Sequence, residues 1–184
     1  MARQKITVIP GDGIGPEITD ATIRVLDRLD CGFEYEYANA GKTSLEKEGS
    51  PLPERTLKMM DRNRITIKGP LTTPSGHGYD SINVFLRKHF NLYTSIRPAQ
   101  TFPNTASRYS NVDIITVREN TEGMYSGEGQ TLSPDGSRAE AVSVVTRKGS
   151  VQILDAAYYL AKRLGRKKIT IVHKANIMKT TSGL

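Results

Sequence analysis

The chain reads as an α/β protein built on a largely parallel sheet flanked by helices. Two observations carry this. Across residues 4–68, strand-like and helix-like segments alternate in β-α-β-α-β order, which brings strands parallel and lays helices over them. Prolines stand at the start of both intervening helical segments, at Pro16 and Pro53, where a missing N–H does no harm.

Residues 4–10 alternate apolar and polar and stop at Pro10, which predicts the first strand. Pro16 opens a helix running through Leu29, with Ile18, Ile23, Val25, Leu26 and Leu29 as its apolar positions. A strand over Phe33–Ala38 follows, then a helix near Pro53–Asp61 holding Leu57, Met59 and Met60, then a strand at Ile65–Lys68. From residue 68 to residue 98 the chain reads as loop, helix and strand, and the polar stretch Thr101–Asn111 suits a crossover between domains. The expected division is therefore residues 1–98, the N-terminal part of a large α/β domain, and residues 99–184, a smaller domain.

In the second part, Val112–Val117 is strand-like and ends at Arg118-Glu119-Asn120-Thr121-Glu122-Gly123-Met124-Tyr125. Residues 126–147 hold two β-prone runs around Ser133-Pro134-Asp135-Gly136, a turn sequence, and so predict a long hairpin with Ala141–Thr146 as its second strand. A helix over 150–164 places Val151, Leu154, Tyr158 and Ala161 on one face and closes at Gly165. Ile169–His173 predicts another strand, and Lys174-Ala175-Asn176 a helix start. The sequence stops inside that start and leaves the sheet an open side, so a piece of a longer protein is expected.

Composition narrows the function classes. Hydrophobic content is 37% and charged content 24%, ordinary for a globular protein. No signal peptide or membrane-length apolar run is visible, so a soluble, cytoplasmic protein without a membrane partner is expected. A lone cysteine, Cys31, excludes an intrachain disulfide and a thiolate metal cluster. The net charge of +7 raises nucleic acid as a partner. Its only dense run, Arg163, Arg166, Lys167 and Lys168, lies where cations complement a helix C-terminus, and aromatic residues do not interleave with basic ones. No nucleic-acid partner is expected.

The loop Gly11-Asp12-Gly13-Ile14-Gly15-Pro16 half matches a dinucleotide fingerprint, with Glu34 or Glu36 at ribose distance. Pro16 occupies the third glycine's place, which favours a tight turn into a proline-started helix.

The chemistry concentrates elsewhere. Lys68-Gly69-Pro70-Leu71-Thr72-Thr73-Pro74, then Ser81-x-Asn83-x-x-x-Arg87, then Arg97-Pro98 bring hydroxyls, an amide and guanidinium groups together in one stretch. Arginine's planar fork matches carboxylate oxygens, and serine and asparagine complete such a shell, so the ligand class is a di- or tricarboxylic acid. A helix starting at Ser81 would aim its hydroxyl and free first-turn amides at an anion, and Asn83 and Arg87 would share a face. Asp80 beside that site is an unfavourable acid unless it faces away as the helix N-cap. Taken alone, Tyr125 is a tyrosine at a hairpin base, Lys174 a solvated lysine, and each arginine an ion-pair partner. His77, His89 and His173 lack metal-ligand spacing and read as supporting residues, while Glu119 and Glu122 read as stabilising their loop and the arginines.

With His173-Lys174-Ala175-Asn176-Ile177-Met178-Lys179 added to these motifs, the chain resembles the isocitrate/isopropylmalate dehydrogenase family of β-decarboxylating dehydrogenases over essentially its whole length, and looks like the N-terminal half of such an enzyme. The resemblance implies that family's two-domain fold, with residues 99–184 as the dimerisation domain and residues 126–147 as a hairpin arm. Polar Ser81-x-Asn83 resembles the isocitrate members. The likeness implies that Ser81 and Asn83 hold the γ-carboxylate, that Arg87, Arg97 and Arg118 bind the other carboxylates, and that Thr73, Asn83 and Asn176 lie near the nicotinamide. Tyr125 and Lys174 match the catalytic pair, with the lysine reaching across from a second protomer, so a homodimer with a shared active site is implied. The cofactors implied are NAD, with NADP as the alternative, and Mg2+ or Mn2+ held by aspartates expected beyond Leu184, with no metal ligand in residues 1–184. Alternatives are isopropylmalate, homoisocitrate or tartrate dehydrogenase, or a non-catalytic regulatory subunit of the same fold.

Overall fold

The structure, a computed structural model, describes residues 3–74 and 78–184. His77 lies outside the described residues. Two compact units emerge, Met1–Phe85 and Leu86–Leu184, and each is described on its own.

The first unit holds β1 (Gln4–Ile9), α1 (Gly15–Arg28), β2 (Phe33–Tyr37), α2 (Lys42–Glu48), α3 (Glu54–Asn63) and β3 (Thr66–Lys68). Its sheet runs in the order β2-β1-β3, with both pairings parallel, as the β-α-β-α-β pattern requires. Central β1 buries Ile6, Thr7, Val8 and Ile9 in succession, so both faces of the strand are covered. Ile6, Val8 and Ile23 of α1 form the core, with Leu26, Phe33, Tyr35 and Ile67 packed around it. Each fully buried aliphatic side chain there contributes roughly 1.5–3 kcal/mol. The buried Thr7 hydroxyl takes a hydrogen bond from Asn63 Nδ2 at 3.0 Å, which removes the penalty of an orphaned polar group.

Local sequence explains the boundaries. α1 starts with Pro16 in its first turn. α2 and α3 end on residues with positive φ, Gly49 and Arg64, which close the last turn. α2 falls between the predicted elements, because Leu45 is its only apolar residue. Of the apolar positions assigned to α1, Ile23 is buried, whereas Ile18, Val25 and Leu29 are exposed.

Helix α4 (Ile82–His89) runs across the division at residues 85 and 86. The second unit continues with β4 (Thr94–Gln100), β5 (Asp113–Glu119), a 3-10 turn at Met124–Ser126, β6 (Thr131–Leu132), β7 (Ala139–Glu140) and α5 (Arg147–Arg163). β4 and β5 pair antiparallel from Thr94↔Glu119 to Gln100↔Asp113. Thr101–Asn111 connects the two strands of this ribbon, closed by Thr101 N–H donating to Val112 O. α5 packs on β5 and is tied to it by Arg166, whose two terminal nitrogens each lie 2.6 Å from an Asp113 carboxylate oxygen.

Three expected elements differ. The hairpin exists, but its ladder is confined to Thr131–Leu132 and Ala139–Glu140. Of Ala141–Thr146 only Val144 bridges, to Gly123, because Thr146 is already the N-cap of α5. Ile169–His173 is not a strand: it has no ladder partner among the described residues, and residues 166–172 line a cavity of about 980 Å³ together with residues of β5 and α5. Beyond it Lys174 starts a turn rather than a helix, with Ile177 and Met178 N–H groups donating to its carbonyl.

Candidate active site

In the first unit the loop after β3 carries Thr73, whose side chain is exposed. The loop has no regular secondary structure, yet both backbone groups of Thr72 are engaged. Its N–H donates to Asp12 Oδ2 at 2.9 Å, and its carbonyl accepts from the Tyr79 hydroxyl at 2.7 Å. Asp12 sits in the glycine loop, where Gly11 has φ +85 and an added Cβ would fall 2.1 Å from Pro70 O. That close backbone packing makes the loop a tight turn. Glu36 is occupied as well, accepting from Lys5, Arg62 and Asn63, and Glu34 pairs with Lys5.

Ser81 stands immediately before α4, with Val84 N–H facing its hydroxyl oxygen at 3.5 Å and Phe85 N–H donating to its carbonyl at 3.0 Å. Ser81 thus takes the capping place that Asp80 was expected to fill, and Asp80 is exposed. Along α4, Ile82 and Leu86 are buried, while Asn83 and Arg87, also four apart, are half-buried on another face.

In the second unit the ribbon register decides how the arginines lie. Ser95 is paired with Arg118, and Arg97 with Thr116. Directly paired residues project to the same side, so Arg97 and Arg118 share one face of the ribbon as diagonal neighbours. After β5 the chain turns at Glu119, whose carboxylate accepts from the N–H and hydroxyl of Thr121 and from Glu122 N–H. Burial pushes that carboxyl up, but the bonds from Thr121, Glu122 and Asn120 outweigh burial and hold it below its ordinary value. Glu122 reaches the N-terminus of α5, accepting from Thr146 N–H at 2.8 Å and from its hydroxyl at 2.5 Å. Both acids therefore serve the loop, and no group of three or more His, Cys, Asp and Glu side chains among the described residues is arranged to hold a metal.

That loop delivers Tyr125. Gly123 and Gly127, both at positive φ, bracket its 3-10 turn, and Lys88 Nζ holds the turn's end by donating to Ser126 O at 2.7 Å. Arg118 Nη2 donates to the Tyr125 hydroxyl at 2.7 Å. The guanidinium carbons of Arg118 and Arg87 lie 5.3 and 5.9 Å from the ring centroid, both within cation–π range. Among the described residues no carboxylate pairs with Arg87, Arg97 or Arg118, and the ion-paired acids are taken by other cations such as Lys5, Arg62 and Arg166. Within this unit, then, a phenol and cations without acidic partners converge. Such a group can bind carboxylates and pass a proton to an atom held beside the phenol.

Lys174 and Asn176 are exposed in the turn after residue 173, and no hydrogen bond, ion pair or ring contact joins Lys174 to Tyr125. His173 Nδ1 accepts from Ala175 N–H at 3.1 Å, a local supporting role. His89 packs edge-on against the Phe90 ring. Sequence reasoning missed Asp12, Lys88 and Thr146. Only Asp12 carried a signal, an acid between two glycines in a turn.

The model of the isocitrate/isopropylmalate dehydrogenase family matches residues 5–184. A relative from Dictyostelium discoideum, named as a mitochondrial regulatory subunit of NAD isocitrate dehydrogenase, is 42% identical over 98% of this chain and 49% of its own length. Another from Thermus thermophilus, named isocitrate dehydrogenase (NADP), is 41% identical over 98% of this chain and 37% of its own. Among solved structures, an isocitrate dehydrogenase from Methylococcus capsulatus superimposes with a TM-score of 0.93 at 50% identity, covering 98% of this chain and 54% of that one. The chain spans about half the length of the curated relatives it matches.

Proposed function

Because the chain belongs to the isocitrate/isopropylmalate dehydrogenase family, we propose that the whole protein oxidises and decarboxylates isocitrate to 2-oxoglutarate while reducing a nicotinamide cofactor. The observation that carries this reading is the convergence of Arg87 and Arg118 on Tyr125, with no acidic partner for either arginine among the described residues. A tricarboxylate brings the missing negative charge.

In this reading Arg87, Arg97 and Arg118 take two carboxylates of isocitrate, and Ser81 and Asn83 take the γ-carboxylate through the hydroxyl, the amide and the free amides of α4's first turn. The exposed hydroxyl of Thr73 and the amides of Asn83 and Asn176 suit the carboxamide of a nicotinamide, and these residues would hold NAD in this chain. When bound, that group would supply the acceptor for the hydride of the hydroxyl-bearing carbon. Lys174 from a second copy takes the hydroxyl proton. Loss of carbon dioxide leaves the bonding electron pair on the adjacent carbon as an enolate. Tyr125 then donates its proton to that carbon, with Arg118 holding the phenol in place. The described residues do not supply a metal shell.

The same reading makes the protein a homodimer acting in the cytoplasm, with NAD preferred because the run Arg118–Tyr125 looks most like bacterial NAD-linked members. It also keeps residues 1–98 and 99–184 as parts of a large and a dimerisation domain. No helix among the described residues is long and apolar enough to cross a membrane. One observation favours a second reading, a regulatory subunit without catalysis: the Dictyostelium relative is named a regulatory subunit. The test is an assay of the intact protein with isocitrate, isopropylmalate, homoisocitrate and tartrate against NAD and NADP. Turnover with isocitrate and NAD supports the proposal; turnover confined to isopropylmalate, or none with any acid, overturns it.

A further inference from the structure

Asp12 is 6% exposed, and its carboxylate joins the glycine loop to the start of α2 and to the loop after β3. Oδ2 accepts from the backbone N–H groups of Lys42 and Thr72, at 3.0 and 2.9 Å, and Oδ1 from that of Thr43, at 3.0 Å. Its own N–H donates to Pro70 O at 2.8 Å, so backbone and side chain together grip the segment from Pro70 to Thr72. Glycines at 41 and 69 permit the close approaches around it. A Cβ on Gly41 would lie 2.2 Å from Oδ2, and a Cβ on Gly69 would lie 1.9 Å from Pro10 O. Burial pushes the carboxyl up, but the backbone donors Thr43, Thr72 and Lys42 outweigh it and hold it below its ordinary value.

Thr73 follows the gripped residue directly, in a stretch without regular secondary structure. We propose that Asp12 is a positioning residue for the cofactor side of the site: its carboxylate fixes the Pro70–Thr72 backbone so that the Thr73 hydroxyl is presented to the nicotinamide. This rests on the role given to Thr73 under the proposed function. Positioning of this kind acts on the cofactor and not on the acid, because the arginines and Tyr125 hang on other elements.

Two substitutions in the intact protein separate this from a general stabilising role. Asp12→Asn retains one oxygen, and that oxygen in the Oδ2 place keeps the Lys42 and Thr72 bonds while the Thr43 bond is lost. Asp12→Ala loses all of them. The expected result is a cofactor Michaelis constant raised about tenfold or more by Asp12→Ala and within about threefold of wild type for Asp12→Asn, with the constant for isocitrate within about threefold in both. Amide hydrogen exchange gives a readout free of activity: the Thr72 amide should exchange about tenfold or more faster in Asp12→Ala, with the amides of β1 still protected. Equal effects of Ala and Asn on the cofactor, a parallel rise for cofactor and acid, or unchanged exchange at Thr72 would overturn the proposal. A wild-type protein that reduces no nicotinamide would overturn the cofactor role and the proposed function together, and the exchange readout would still decide whether Asp12 grips the loop.

Discussion

Arg118 donates a hydrogen bond to the hydroxyl of Tyr125 at 2.7 Å while its guanidinium carbon lies 5.3 Å from the centre of the same ring. The arginine therefore fixes the phenol in direction as well as in place. A tyrosine that gives up its proton during turnover leaves a phenolate, and a neighbouring guanidinium stabilises that anion.

Tyr125→Phe keeps the ring against Arg87 and Arg118 but removes the proton donor. Steady-state kinetics should show turnover reduced by about 10²-fold or more with little change in the Michaelis constant for isocitrate. Arg87→Lys should show the reverse pattern, because a lysine loses the planar fork but leaves the phenol intact. Equal and negligible effects of both changes would mean that the acid binds elsewhere.

The placement of Tyr125 also depends on Glu122 and Gly149. An added Cβ at Gly149 would lie 2.4 Å from the Glu122 carboxylate carbon, although Gly149 is inside α5, where alanine is ordinarily favoured by about 1 kcal/mol. Gly149→Ala should therefore destabilise the intact protein, by about 1–3 kcal/mol for an overpacked site. Chemical denaturation should show the sign reverse in a Glu122→Ala background, where the helix preference acts alone. An alanine that destabilises equally in both backgrounds would contradict the clash.

Acid stability offers a test in the first unit. Glu36 accepts from the Asn63 amide, Lys5 and Arg62, in that order of effect, and they bring its carboxyl from an ordinary 4.5 down to about 2. A carboxyl lowered by folding stabilises the fold fully above the unfolded value and stops doing so as pH falls toward the folded one. Unfolding midpoints compared between about pH 6 and about pH 2.5 should thus fall more steeply for wild type than for Glu36→Gln, with the difference arising below about pH 4.5. Parallel slopes would show that the cluster adds nothing.

Asn63→Leu removes the donor that satisfies the buried Thr7 hydroxyl and one donor to Glu36. A loss of about 1–3 kcal/mol is expected, the penalty of an unpaired buried polar group. Pairing the change with Thr7→Val should recover part of it in a double-mutant cycle.

Much of the first unit was legible because its signals are local. Proline at helix starts and the alternating pattern of β1 need no knowledge of distant residues. α2 escaped because a seven-residue helix with Leu45 as its only apolar side chain has no periodicity to read. Ile169–His173 alternates like a strand, but a strand exists only with a partner, and pairing is a non-local fact. The site behaved the same way. The residue types at positions 81, 83 and 87 were readable from helix spacing, whereas the shared face of Arg97 and Arg118 depends on a register and the Arg118–Tyr125 bond on a turn between two positive-φ glycines. Asp12 was hidden by its setting, since glycines around an acid suggest a phosphate loop until their contacts with Pro10 and Pro70 are seen.

The central claim is that the phenol of Tyr125, held by Arg118, protonates the carbon that loses carbon dioxide. The most direct measurement follows product formation from isocitrate and NAD by intact Tyr125→Phe protein in deuterated water, reading both cofactor reduction and deuterium incorporation at that carbon. The account predicts stereospecific deuteration by wild type and, in the variant, slowed formation of 2-oxoglutarate with loss of that stereospecificity. Stereospecific deuteration at an undiminished rate in Tyr125→Phe would contradict it.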